Sequence, residues 1–179
     1  AIRKADLPIL VLSALCGVTF NIGFFFLGLT LTTALNAGII VASVPIFTLL
    51  LANLLLKEKI TLNLIIGAII GFIGIGIIIG KDFLNNGVSL HPLGDIFVLL
   101  AVLSFVFYEI ISKKLFQKYD SFSVTFYSFA IGALTFLPAA VLELHRSSAW
   151  MKNLSLTPTL GIAYGIFFSS LAAYSLWQW

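Results

Sequence analysis

An ionisable side chain, Glu109, interrupts an apolar stretch of the sequence, SFVFYEIISKK. If that stretch crosses a membrane, the charge is costly and by default marks a site that handles ions or substrate. Glu109 also precedes Lys113 by four residues, the order that favours an ion pair along a helix. Two hypotheses therefore stand for Glu109: coupling to a proton or cation, or a structural pair with Lys113 near the end of the helix.

Pro45 lies in the middle of a second apolar stretch, VASVPIFTLLLANLLLKEK. Proline cannot donate a hydrogen bond to the carbonyl of Val41, and its ring crowds that carbonyl, so a helix bends there. In lipid the freed carbonyl needs a neighbouring helix, water or a ligand as its partner. Pro45 therefore predicts either a ligand cavity, as interrupted spans do in membrane proteins built of repeats, or a kink that only shapes packing.

Other hydrogen-bonding side chains share helical faces with small or aromatic residues, as the wall of an amphiphilic cavity requires. Hydrogen bonds between helices explain such residues equally well. The candidates for a cavity or gate are Asn21, Ser43, Pro45, Ser104, Tyr108 and Tyr174, with Glu109 as a candidate coupling group.

The sequence lacks the motifs of an intramembrane enzyme. His91 and His145 fall in predicted loops, and no His-Glu-x-x-His or Gly-x-Ser-x-Gly pattern occurs. A potassium-type filter loop and a basic voltage-sensing helix are also missing from the sequence. We therefore predict a protein that is not an enzyme and has no metal site and no cofactor.

The composition predicts a membrane protein. Hydrophobic residues make up 60% of the 179 residues and charged residues 9%, against about 45–50% and 25% in soluble domains. A helix needs about 20 apolar residues to cross a bilayer, and the continuous runs are unlike the alternating strands of a barrel. The six predicted transmembrane helices cover residues 7–29, 34–56, 62–79, 93–111, 122–142 and 156–177.

The basic residues give these helices an orientation. Seven of the ten lie in alternate connections at Arg3, Lys4, Lys57, Lys59, Lys113, Lys114 and Lys118, and the others are Lys81, Arg146 and Lys152. This bias predicts a multi-pass protein of the plasma (inner) membrane with both chain ends cytoplasmic. Because the charges flank the spans, we expect the lipid bilayer and not nucleic acid as the partner; a homodimer is a further hypothesis.

Two more groups of residues have predicted structural roles. Lys57, Glu58 and Lys59 form a short cytoplasmic loop motif in which the glutamate orders the loop. Small residues recur on one face of the third and fifth spans, a pattern that lets helices approach closely in lipid. The predicted helix-packing residues are Gly67, Gly71, Gly74 and Gly132.

The stretch 32–79 resembles the EamA-type domain of the drug/metabolite transporter superfamily. The matching residues are Ala34 and Ala37 at the helix entrance, Pro45 within it, Glu58 at its end, and Gly67 and Gly74 in the next helix. Residues 93–115 and 126–143 resemble the first two helices of the second repeat of that family, and 164–179 the third. Glu109 departs from the resemblance, since an uncharged residue is more usual there.

The resemblance implies an all-helical bundle of ten helices in two inverted five-helix repeats, of which this chain is expected to be an internal fragment. Residues 1–80 would hold the last three helices of the first repeat, 81–92 an external loop, and 93–179 the first three helices of the second. The implied function is a secondary transporter, an exporter of small organic metabolites or drugs that works by alternating access. The alternatives are a channel, or an intramembrane enzyme or scaffold whose working surface is loop 143–158.

Overall fold

A computed structural model describes residues 2–57, 59–86, 91–146, 156–172 and 176. Within these residues the chain is all-helical and contains no strand. We label the helices α1 (Lys4–Leu31), α2 (Ala34–Leu56), α3 (Leu62–Asn86), α4 (Pro92–Phe116), α5 (Ser121–Arg146) and α6 (Leu156–Tyr164, continued by Gly165–Ala172).

Four helices among the described residues are long and apolar enough to cross a bilayer, which confirms an all-helical polytopic protein. They are Lys4–Leu31, Ala34–Leu56, Pro92–Phe116 and Ser121–His145, of 23 to 28 residues each, against about 20 needed. Shorter apolar helical segments, Leu62–Gly74 and Thr159–Phe168, lie in the other two predicted spans. The third and sixth spans, and the ten-helix inverted repeat, stay predictions.

Local signals set the helix ends. Thr32 is extended, and the Thr33 side chain caps α2 by accepting from the backbone N–H of Asn36 at 3.2 Å. Pro92 stands in the first turn of α4, where its missing N–H costs nothing. The carboxylate of Asp120 accepts from the backbone N–H of Ser123 at 2.8 Å and caps α5.

Helix α1 contains a widened segment: Leu15–Phe20 adopts π-helical hydrogen bonding between two α-helical stretches. Such segments are rare and occur often at functional sites. In the structure it faces two other helices. Gly17 packs beneath the ring of Tyr108 on α4, and Val18 packs against Gly132 on α5.

Helix α4 is the centre of the bundle and packs against α1, α2 and α5. It runs antiparallel to α1. At one end Gly28 of α1 meets Gly94 and Val98, where a Cβ on Gly28 would lie 2.6 Å from Val98 Cγ2. At the other end Asp6 contacts Lys118, just beyond α4. The close approach explains why glycines line the first of these ends.

Helix α3 packs on α2 in the described part of the chain. A Cβ on Gly67, Gly71 or Gly74 would meet no atom of the described residues within 4 Å. The packing role of these three glycines stays a prediction. By contrast, a Cβ on Gly132 would lie 2.3 Å from Val18 Cγ1, so Gly132 is at a tight helix contact.

Candidate functional site

A cavity of about 510 Å³ lies between α2, α3 and α4. Its polar lining residues are Thr48, Asn63 and Glu109. The remaining wall is apolar and is formed by Val44, Pro45, Leu49, Leu64, Gly67 and Ala68. The structure therefore brings Pro45 and Glu109, two residues singled out separately from the sequence, to the same cavity.

A hydrogen bond between α2 and α4 holds the polar side of this cavity. The hydroxyl of Thr48 donates to Oε2 of Glu109 at 2.8 Å. Both side chains are half-buried. Because the bond links residues 61 positions apart in the chain, it orients the carboxylate through tertiary packing and not through its own helix.

An apolar contact fixes the two helices that carry this bond. Val102, Val106 and Ile110 of α4 form a buried cluster. The residues of α2 packed on it are Ile40, Val44, Phe47, Leu51 and Leu56. Since Glu109 neighbours Ile110, burial of this cluster sets the face of α4 from which the carboxylate projects.

The interruption of α2 places Pro45 on the cavity wall. The helix stops at Val41 and restarts at Val44, and the hydroxyl of Ser43 donates to the carbonyl of Ile40 across the break. The carbonyl of Ser43 accepts from the N–H groups of Ile46 and Phe47 at 3.0 and 3.1 Å. Pro45 thus lies in the first turn of a new helical segment, where no N–H is needed.

Two predicted cavity residues lie instead at the contact between α1 and α4. The side-chain amide of Asn21 donates to the carbonyl of Ala101 at 3.0 Å. Tyr108 is 3% exposed, and its ring covers Gly17 so closely that a Cβ there would lie 2.5 Å from Cγ of the ring. Neither residue lines the 510 Å³ cavity.

Some of the other predicted residues lie among the described residues and some lie outside them. Ser43 is half-buried at the break of α2, and Ser104 is half-buried on α4. Lys57 ends α2 in a left-handed conformation, with φ of 56°, and its N–H donates to the carbonyl of Ala52; Lys59 is exposed. Glu58 and Tyr174 lie outside the described residues.

Two cavity residues, Thr48 and Asn63, were not among the predicted site residues. Thr48 follows Pro45 by three positions and therefore shares its helical face, a signal that was available in the sequence. Asn63 precedes Gly67 by four positions on the same face of α3. Each lies between apolar neighbours in an apolar helix, a pattern that does not by itself separate cavity wall from helix contact.

Two polar clusters at opposite ends of the bundle tie the helices together. Asp6 accepts from Nζ of Lys118 at 2.8 Å and from the hydroxyl of Tyr119 at 2.6 Å. At the other end Asp95 accepts from the hydroxyl of Thr32 and from the amide of Asn36. These bonds join the start of α1 to the end of α4, and the α1–α2 turn to the start of α4.

A smaller cavity of about 220 Å³ lies near the same end of the bundle as Asp6. It is lined by Ile9, Leu55, Leu56, Ile110, Ile111 and Lys114. Its polar group is the ammonium of Lys114. No group of three His, Cys, Asp or Glu side chains that could hold a metal ion occurs among the residues whose positions are described.

The geometry of the larger cavity suits the binding of a small organic molecule. An apolar wall with a hydroxyl, an amide and a carboxylate can hold an organic molecule by burial of its apolar part and by a few directed polar contacts.

The known proteins that this chain resembles include several named transporters. An uncharacterized transporter of Archaeoglobus fulgidus is 28% identical over 93% of this chain and 56% of its own length. The uncharacterized transporter YyaM of Bacillus subtilis is 25% identical over 99% of the chain and 57% of its own. An S-adenosylmethionine uptake transporter of Rickettsia conorii is 31% identical over 83% and 49%. No solved structure matches the chain.

The chain spans about half the length of the curated relatives it matches. The model of the EamA-like transporter family matches two stretches, residues 2–80 and 92–179, which together cover nearly the whole chain. The apolar spanning helices agree with that match, since a transporter must cross the bilayer. This chain therefore belongs to the EamA-like transporter family.

Proposed function

We propose that this chain is part of a secondary transporter that carries small organic solutes across the membrane by alternating access, and that it is not an enzyme. The observation that carries the proposal is the 510 Å³ cavity, where the interrupted helix α2 and the carboxylate of Glu109 meet. Interrupted helices beside a cavity are typical of substrate sites in transporters built of repeats.

We propose that residues 1–80 and 93–179 belong to two inverted repeats separated by the segment 81–92, of which residues 81–86 continue α3. In this arrangement α1 and α6 are corresponding third helices. Both pass from α-helix to π-helix after a similar length: Leu7–Ala14 has 8 residues before Leu15–Phe20, and Leu156–Tyr164 has 9 before Gly165–Ala172. A shared rare interruption at one position supports a repeat origin.

We propose that the Asp6 end of the helix bundle lies on the cytoplasmic side of the plasma (inner) membrane. The Asp6–Lys118 ion pair brings the start of α1 and the α4–α5 connection to one end. Arg3, Lys4 and Lys118 therefore gather on one side, as the positive-inside rule requires of the cytoplasmic face. The partners on this proposal are the bilayer and a small organic solute, with no nucleic acid; a homodimer stays a hypothesis.

The experiment is counterflow in proteoliposomes that contain the full-length protein. Vesicles are loaded with one unlabelled solute from a panel of amino acids, amines, nucleosides and S-adenosylmethionine, and entry of the same labelled solute is followed. We expect saturable entry that the internal solute accelerates. Flux that does not saturate and shows no counterflow would identify a channel. No flux for any solute, with a partner protein lost when loop 143–158 is deleted, would identify a scaffold.

The direction of transport is tested separately. Export is our hypothesis, whereas the Rickettsia relatives are named uptake transporters. Inside-out and right-side-out vesicles with the same imposed gradient distinguish the two directions. Export predicts that solute accumulates in the inside-out vesicles, and accumulation in right-side-out vesicles overturns it.

A further inference from the structure

We propose that the cavity beside Glu109 binds a small organic cation, with the carboxylate of Glu109 as the counter-charge and the hydroxyl of Thr48 as the group that orients it. The ligand is a molecule with an ammonium or similar positive group on an apolar body. This inference rests on the proposed transport function, because it names the substrate class of the same cavity.

The cavity suits such a ligand in its volume and in its apolar lining. A volume of about 510 Å³ falls within the roughly 300–1,000 Å³ typical of small-molecule sites. Apolar side chains such as Val44, Leu49 and Leu64 line most of it. They favour an apolar body, since its burial removes hydrocarbon surface from water. A strongly polar, many-hydroxyl solute would leave its own groups without partners there.

The charge at the cavity wall is negative. Glu109 is the charged residue among those described around the cavity, and no Lys or Arg is among them. In surroundings of low dielectric constant a carboxylate attracts a cation much more strongly than it does in water. An anionic ligand would be repelled, and a neutral one would leave the carboxylate uncompensated.

The hydrogen bond from Thr48 orients the carboxylate of Glu109. Its hydroxyl donates to Oε2 of Glu109 at 2.8 Å, so it holds the carboxylate at the cavity wall without cancelling the negative charge. Orienting one oxygen in this way presents the group to a ligand in a fixed geometry. Asn63 lies on the same cavity and offers both a donor and an acceptor to a second polar group of the ligand.

A structural ion pair with Lys113 is the competing explanation for Glu109. Lys113 lies four residues further along α4 and is exposed, outside the residues that line the cavity. The two explanations differ in what loss of the lysine does. Removing a partner from an ion pair disturbs Glu109, whereas removing a nearby positive charge from a cation site leaves cation binding intact or strengthens it.

The test measures the affinity of the full-length protein in detergent for three probes of similar size at neutral pH. These are 2-phenylethylamine, a cation; 2-phenylethanol, which is neutral; and phenylacetate, an anion. By isothermal titration calorimetry we expect the amine to bind about tenfold more tightly than the alcohol, and phenylacetate to bind most weakly. Glu109→Gln should weaken amine binding about tenfold and should preserve or tighten alcohol binding. Retained alcohol binding shows that the variant is folded.

Two control variants replace a charged residue outside the cavity with glutamine. Glu143→Gln removes an exposed carboxylate of α5 and should leave amine binding as in the wild type. Lys113→Gln should preserve or tighten amine binding. Equal affinities for amine and alcohol, an unchanged amine affinity in Glu109→Gln, or loss of amine binding in Lys113→Gln would overturn the inference.

Failure of the inference and failure of the proposed function give different results. Counterflow of a cationic solute at the wild-type rate in Glu109→Gln would refute the cation site and leave the transporter standing. Glu109-dependent binding of the amine without counterflow of any solute would refute the transporter and leave the cation site standing.

Discussion

The hydroxyl of Thr48 lies 2.8 Å from Oε2 of Glu109 and donates a hydrogen bond to it across the interface between α2 and α4. The bond is found where the two most unusual features of the apolar sequence, the interruption at Pro45 and the carboxylate in α4, reach one cavity. Thr48 therefore links the interrupted helix to the charged one, and a movement of either helix changes the position of the carboxylate.

Replacement of Thr48 tests this link. Thr48→Val keeps the shape of the side chain and removes the hydroxyl, so the carboxylate loses a directed donor. Hydrogen bonds to charged groups contribute about 1.5–3 kcal/mol, and partial exposure reduces that value here. We expect amine affinity and counterflow to fall about three- to tenfold, measured on the full-length protein. Thr48→Ser keeps the hydroxyl and should retain most of both. Equal activity of the two variants would contradict the role of the bond.

Pro45→Ala tests the interruption of α2. Alanine restores an N–H that can bond to the carbonyl of Val41, so the helix can run through the break. It also removes the ring from the cavity wall. We expect counterflow to slow by roughly fivefold without loss of the folded state. Pro138→Ala is the matched control, because Pro138 lies inside α5 and does not line the cavity. A similar loss in both variants would indicate a general effect of proline.

Gly132→Ala tests the contact between α5 and the π-helical segment of α1. A Cβ at position 132 would lie 2.3 Å from Val18 Cγ1, so a helix must shift, at a cost of about 1–3 kcal/mol. Gly23→Ala is the control: its Cβ would lie 3.9 Å from the ring of Phe136, an ordinary contact. Thermal unfolding in detergent, followed by circular dichroism, should show that Gly132→Ala is the less stable variant. The reverse order would contradict the tight contact.

Lys57→Gly tests the end of α2. Lys57 has φ of 56° and is the non-glycine residue with positive φ in the described chain, a conformation that costs a side-chain-bearing residue about 1–2 kcal/mol. Glycine adopts it freely, and its greater freedom in the unfolded state offsets part of the gain. We expect the free energy of unfolding to rise by up to about 1 kcal/mol. Lys59→Gly, at negative φ, should not stabilise the protein.

The cap formed by Asp120 predicts that the protein becomes less stable in acid. The backbone N–H of Ser123, and then its side chain, donate hydrogen bonds that hold the pKa of the Asp120 carboxyl below its ordinary value. A lowered pKa in the folded state stabilises the protein above the pKa of the unfolded chain. That contribution is lost as the pH falls through the folded-state pKa. Asp120→Asn still caps α5 but does not titrate.

The measurement for Asp120 compares thermal unfolding of the wild type and Asp120→Asn over a range of acidic pH. The stability of the wild type relative to the variant should decrease as the pH drops below the ordinary pKa of an aspartate. A difference that stays constant across that range would show that the cap does not depend on ionisation.

Much of the architecture follows from the order of residues alone. Runs of about 20 apolar residues determine where helices cross a bilayer, because every backbone polar group in lipid must be bonded within its own segment. Pro45 determines that α2 is interrupted, since it cannot donate to Val41, although the break itself falls at Ala42 and Ser43. A carboxylate such as that of Glu109 is unusual in any membrane-spanning helix, whatever the fold.

The tertiary structure decided which of these residues meet. The sequence favours Asn21 and Tyr108 for a cavity over Thr48 and Asn63, yet the first two lie at the contact of α1 and α4 and the last two line the cavity. Helical periodicity shows which residues share a face. It does not show which face meets another helix, because lipid and the interior of a helix bundle are equally apolar. Only the packing of α4 against its neighbours distinguishes a buried contact from the wall of a cavity.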